Sequence, residues 1–179
     1  MVLSLTIKIV IFVRFWQAVI NTIRSRARPM PHLATETTNK VRELCADAYS
    51  HYDQGEFRKA LRLFYQAWVL LPKPQTQYAE AGWVLVGIGD TYYRLRQFTP
   101  GSEALRSADH CPDCRGNPFI QLRLGQCLYH LGERLPSRNH LQQAYTLGGK
   151  AIFEKEDPCY LQTISEFTDA ADAEKNNNS

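Results

Sequence analysis

Between Leu44 and Pro72 the chain reads LCADAYSHYDQGEFRKALRLFYQAWVLLP, and the places of its small residues leave few folds open. Ala48, Gly55, Ala60 and Ala67 alternate with Phe57 and Phe64, and Pro72 closes the run. This is the pattern of one helical hairpin: small residues where two helices touch, aromatic ones between them, and a proline that stops the second helix. The landmarks recur. Gly89, Tyr92, Phe98, Gly101, Leu105 and Ala108 repeat them 41 residues on, and Gly125, Leu128, Gly132, Ser137, Leu141 and Ala144 repeat them 36 residues after that.

The spacing has a steric cause. A small residue at Ala48, Gly89 or Gly125 lets the returning helix cross close by, and the bulky residue at Phe64, Leu105 or Leu141 fills the space beside it. On these residues the stretch from Val41 to Ala144 resembles the tetratricopeptide repeat family, whose unit is about 34 residues of helix, turn and helix. The resemblance implies an all-α fold, a right-handed superhelical array of three hairpins at about 41–74, 82–115 and 118–151, followed by a C-terminal capping helix. Two departures stand out. Arg96 occupies the place of a turn glycine in the second unit, and Arg134 the place of an aromatic in the third.

Three repeats are about the minimum that can bury their faces by stacking, so residues 30–168 are expected to form one helical domain. The first helix is expected from Thr37, with Thr37 or Thr38 as its cap, and the returning helix from Phe57 to Leu71. The second pair is expected over about 76–95 and 99–110, with Thr99 and Pro100 as cap and first turn. Asn117 and Pro118 repeat that signal for the third pair, whose closing helix is read over Leu141–Phe153. Asp157 and Pro158 start a last short helix over the end of the stack, and residues 169–179 read as a disordered polar tail.

Charge divides the chain unevenly. Lys8, Arg14, Arg24, Arg26 and Arg28 lie in the first 29 residues, which hold no acid, and this leaves 16 Lys plus Arg against 18 Asp plus Glu in the remainder. The repeat region is therefore slightly acidic despite a sequence pI near 8.6, and carries no global electrostatic reason to bind nucleic acid. Residues 1–29 are apolar and basic, and three readings stand open: a start set too early, with Met30 the true one, a membrane-associated helix, or an extra packed helix. A spanning helix is disfavoured because Lys8 and Arg14 interrupt the apolar run.

In the family resembled, one side of each first helix lines a concave groove. Carried over residue by residue, the groove positions are Arg42, Cys45, Tyr49 and Tyr52, then Trp83, Val86, Asp90 and Tyr93, then Phe119, Leu122, Gln126 and Tyr129. Six of these twelve are aromatic, the side chains that supply large contact area at low entropy cost in protein recognition. Cys45 and Tyr49 stand where the family's clamp for a peptide carboxylate would place Lys and Asn, so that binding mode is not expected. An arginine excess at Arg94, Arg96, Arg106, Arg115, Arg123, Arg134 and Arg138 is either a solvated face or, if several share a side, a surface that steers an acidic partner.

Chemistry beyond binding is not signalled. Structural zinc needs four thiolate or imidazole ligands, and beside the HCPDC run of His110, Cys111 and Cys114 the remaining cysteines are scattered. Cys111 is expected as a small buried residue and Cys114 as an exposed thiol in a reducing compartment. His32, His51, His110, His130 and His140 accompany no catalytic motif. Neither a metal, a cofactor nor an enzymatic activity is expected.

A narrower resemblance rests on CPDCRGNPFIQLRLGQCLYHLG (111–132) and IFEKEDPCYL (152–161). These runs look like small bacterial tetratricopeptide proteins encoded beside polymorphic toxins, with Cys114, Arg115 and the GERLPSRNH turn departing from that group. The resemblance implies a cytoplasmic immunity protein that binds and neutralises a toxin domain. A type III secretion class II chaperone, of similar three-repeat design, is the alternative, and a general scaffold the third. All imply a protein partner.

Overall fold

The computed structural model describes residues 31–168. The expectations for residues 1–29 and for the tail after 168 lie outside this range. Among the described residues the α-helices are, in order, α1 (Thr35–Asp53), α2 (Phe57–Val69), α3 (Ala79–Arg94), α4 (Phe98–Asp109), α5 (Pro118–His130), α6 (Arg134–Gly148) and the short α7 (Pro158–Gln162), with 3-10 turns at Gln75–Gln77 and Lys150–Phe153 and helical residues again at 165–168. No strand occurs among the described residues. Consecutive helices pack as three hairpins, α2 also packs on α3, α4 on α5, and the first helices α1, α3 and α5 touch in turn.

The small residues do what their spacing requires. A methyl group added at Gly89 would stand 2.5 Å from Leu105 Cγ, and one at Gly125 would stand 2.8 Å from Leu141 Cγ. Both leucines are fully buried, so these crossings leave no space to yield. Ser137 adds a hydrogen bond at the third crossing, its hydroxyl donating to the Gly125 carbonyl at 2.8 Å. Phe64 reaches further, because its ring lies where a side chain at Gly87 of the next hairpin would have to go.

The three hairpin turns share one hydrogen-bond pattern. The amide of Gly55 donates to the Tyr52 carbonyl and that of Glu56 to His51, and the same pairs recur as Arg96 to Tyr93 with Gln97 to Tyr92, and Gly132 to Tyr129 with Glu133 to Leu128. This closure puts its pivot residue in the left-handed region. Gly55 and Gly132 adopt φ of 77° and 79°, and Arg96 is forced to φ 58° at the equivalent place. The other departure is resolved by a cation over a ring. Phe57 and Phe98 set their rings 5.2 and 6.0 Å from Tyr52 and Tyr93, and Arg134 instead holds its guanidinium 5.4 Å over Tyr129.

Helix boundaries correct several expectations. α1 starts at Thr35 without a side-chain cap, and Thr38 lies inside it, its hydroxyl bonded to Glu80 across the hairpins at 3.2 Å. α4 is preceded by Gln97, not Thr99. The Asn117 and Asp157 caps are present, each accepting from the amide two residues on at 2.9 Å. The closing helix spans Arg134–Gly148 instead of Leu141–Phe153, because Gly149 at φ 66° ends it and a 3-10 turn follows. Leu141 thereby sits mid-helix, where its crossing with Gly125 places it.

Candidate functional site

The predicted groove positions fall into an open part and a covered part. In the open part Tyr49 and Trp83 remain 41% and 42% exposed, and the Arg42 guanidinium lies 5.5 Å over the Trp83 ring, joining α1 to α3. The Tyr49 ring meets Phe64 edge-on at 5.1 Å and Tyr52 at 6.3 Å. Tyr52 is half-buried, with Arg94 5.9 Å over its ring. Burial first, and then the nearby Asp90 carboxylate, push the Tyr52 phenol well above its ordinary range. Val86 is partly buried against the core, and Cys45 fully so. Burial also drives the Cys45 thiol up to about 11, which removes it from nucleophilic chemistry.

The covered part corrects the expected exposure of three positions. Asp90, Leu122 and Gln126 are 7%, 1% and 0% exposed. Asp90 is closed off by Arg123, and Leu122 and Gln126 by the segment after α6, which returns across α5 instead of only closing the end of the stack. Leu122 joins a second apolar cluster with Phe153, Tyr160 and Ile164, and Tyr129 packs on it. Gln126 donates to Glu156 at 2.9 Å. Tyr93 and Tyr160 share a hydroxyl hydrogen bond of 2.9 Å, His130 Nε2 meets the same Tyr160 hydroxyl at 2.8 Å, and Tyr129 faces Tyr160 edge-on at 5.4 Å.

Arg123 is the centre of this region, and its burial takes it out of both alternatives left open for the arginines, a solvated face and a shared steering surface. Only 6% exposed, it places Nε 2.6 Å from Asp90 Oδ1. Neither atom makes a hydrogen bond, so charge joins the two. Its Nη1 donates to Gln126 Oε1 at 2.7 Å and to Glu156 Oε2 at 3.2 Å. The guanidinium also lies 4.4 Å from the Tyr93 ring centre and 5.1 Å from Phe119. Desolvation pulls against the charge, but the two carboxylates outweigh it and keep Arg123 firmly protonated. The other arginines point elsewhere: Arg94 covers Tyr52 and Phe57, Arg106 pairs with Glu133 at 3.7 Å, and Arg138 with Glu166 at 2.9 Å.

One signal in the sequence marks Arg123. In repeat register it stands where the earlier hairpins carry Ala46 and Gly87, and it is the only Asp, Glu, Lys or Arg in α5. A lone base in that helix, opposite the only acid between Glu80 and Arg94 in α3, is the pattern of a buried pair.

Cys114 is a further correction. It is 7% exposed and its sulfur fills the space beside Gly82 on α3. Burial raises both thiols of the CPDC run, Cys111 to about 11. Among the described residues no cluster of three or more His, Cys, Asp and Glu could hold a metal ion, and no helix is long and apolar enough to cross a membrane. A separate hollow of about 650 Å³ lies between α1 and α2, lined by Lys40, Leu44, Arg62, Tyr65, Gln66, Val69 and Leu70. It shares no residue with the predicted groove.

This fold is that of a tetratricopeptide-like helical repeat protein. It is similar to the type III secretion chaperone SycD of Yersinia enterocolitica, solved in complex with a peptide of the translocator YopD, with a TM-score of 0.58 and 16% identity over 77% of this chain and 97% of that one. At that identity the likeness is one of fold. No protein-family model and no curated protein matches the sequence.

Proposed function

We propose that the chain is a non-catalytic binding module that holds a protein segment against the α1 and α3 face formed by Arg42, Tyr49, Tyr52, Trp83 and Val86, with Asp90 and Phe119 beside Arg123 as its continuation, and Tyr93, Leu122, Gln126 and Tyr129 covered by the segment from Phe153 to Ile164. The observation that carries this is the pair of large aromatic side chains, Tyr49 and Trp83, left more than two-fifths exposed on neighbouring helices with a cation stacked beside them. Rigid aromatic faces of this kind supply most of the energy in recognition of a polypeptide.

Chaperone-like holding of an extended segment is the reading favoured by the likeness to SycD, which was solved with a bound translocator peptide. The second reading is an immunity protein that occludes a folded toxin domain, and it rests on the resemblance of segments 111–132 and 152–161. Both place the protein in the cytoplasm with one tight protein partner. Titration calorimetry against the product of the adjacent reading frame tests the shared claim. A one-to-one complex is expected, weakened at least about tenfold by Tyr49→Ala with Trp83→Ala at unchanged helicity, and unchanged affinity would overturn the groove. Rescue of growth by the chain then marks a toxin, and recovery of solubility of an unfolded partner marks a chaperone client.

A further inference from the structure

The inner side of the third hairpin is occupied by the chain itself, and the chemistry of that contact states what else would fit there. Glu156 supplies a carboxylate to Arg123 and Gln126, with Glu156 Oε2 accepting at 3.2 and 2.9 Å. Four residues later Tyr160 sets its ring against Tyr129 and its hydroxyl between Tyr93 and His130. The carrier of these two side chains is slight: Glu156 lies in the link between the 3-10 turn at Lys150–Phe153 and α7, and Tyr160 in α7, which has five residues. The partners on α3 and α5 belong to two long helices that are packed into the hairpin stack.

We infer that the α3 and α5 face around Arg123 is a recognition site for an acidic residue followed four residues on by an aromatic one, and that Glu156 and Tyr160 fill it as an internal stand-in until a partner segment of the same chemistry replaces them. The inference deepens the binding role proposed above and rests on it. Its physical basis is exchange between like contacts. A buried guanidinium left with one carboxylate fewer is costly, so the segment opens on its own only transiently. A partner that brings a carboxylate and an aromatic ring restores the same ion pair, hydrogen bonds and edge contact, so replacement costs little where opening alone would cost much. The site also continues the open face, because Asp90, which pairs with Arg123, is the acid beside Tyr52.

The probe is a synthetic peptide with this chain's own residues 153–164, FEKEDPCYLQTI, titrated by fluorescence anisotropy into the full chain and into its Glu156→Gln, Tyr160→Phe variant. Weakening the internal competitor frees the site, so the variant is expected to bind the peptide at least about tenfold more tightly than the unaltered chain. A peptide with Gln and Phe at the two positions is expected to lose that binding. Equal binding of both peptides, or none by a variant that melts cooperatively, overturns the inference. Hydrogen exchange on the unaltered chain guards against a variant that does not fold: amides of residues 159–164 are expected to exchange at least about tenfold faster than those in the middle of α5, as a locally opening segment does, and equal rates overturn it. Partner binding that still depends on Trp83 while the peptide fails would sink this inference and spare the wider role.

Discussion

Arg123 and Asp90 meet at 2.6 Å on neighbouring first helices, each less than one-tenth exposed, where the repeat pattern calls for small and polar side chains. The pair ties the second hairpin to the third, and the C-terminal segment joins it through Glu156 at 3.2 Å. A buried pair of this kind is poor as a source of net stability and strict as a condition of geometry.

Breaking it from one side is therefore expected to be severe. Arg123→Ala leaves Asp90 charged and without its cation, at a cost of about 3 to 5 kcal/mol. Replacing the whole charge group, as Arg123→Met with Asp90→Leu and Glu156→Gln, is expected to recover most of that loss. Urea denaturation followed by circular dichroism reads both, and a combined variant no more stable than the single one would contradict the assignment.

The turn at Arg96 holds an L side chain at φ 58°, where its counterparts are glycine. Relief of the left-handed penalty, less the added freedom of glycine in the unfolded chain, predicts that Arg96→Gly stabilises by about 0.5 to 1 kcal/mol. A lower denaturation midpoint would show that the Arg96 side chain contributes more than its backbone strain removes.

At the second crossing, Gly89→Ala drives a methyl into Leu105, 2.5 Å away, and is expected to cost about 1 to 3 kcal/mol. Gly89→Leu is expected to abolish the cooperative melt. Adding Leu105→Ala to Gly89→Ala should return part of the loss, since the space the methyl needs is then present. Additive losses in that double variant would place the crossing elsewhere.

Acid is expected to weaken the fold before the carboxylates titrate. His130 and His140 are both held below the ordinary imidazole value, first by burial and then by Arg96 and Arg106. The unfolded chain then binds protons more readily than the folded one, so stability is full above the unfolded histidine value, near 6.5, and falls as pH drops below it. Thermal melts at pH 7.5 and 5.5 should show the loss, and His130→Phe with His140→Gln should flatten it. A melting temperature that rises on acidification would be incompatible with these two environments.

The hairpins, their order and their close crossings follow from the sequence alone, because each depends on residues within about one repeat of each other and on the sizes of single side chains. Ala48, Gly89 and Gly125 carry that information at intervals of 41 and 36 residues, and the turn at Arg96 kept its geometry against the residue's own preference. The tertiary structure alone decided which positions of the inner face stay open. Leu122, Gln126 and Arg123 are covered by Phe153, Glu156 and Tyr160, partners some thirty residues away that no local periodicity joins to them. A repeat pattern specifies how neighbours stack, and it is silent on a later segment that folds back over the stack, because that contact is set by a few charges and rings meeting across space.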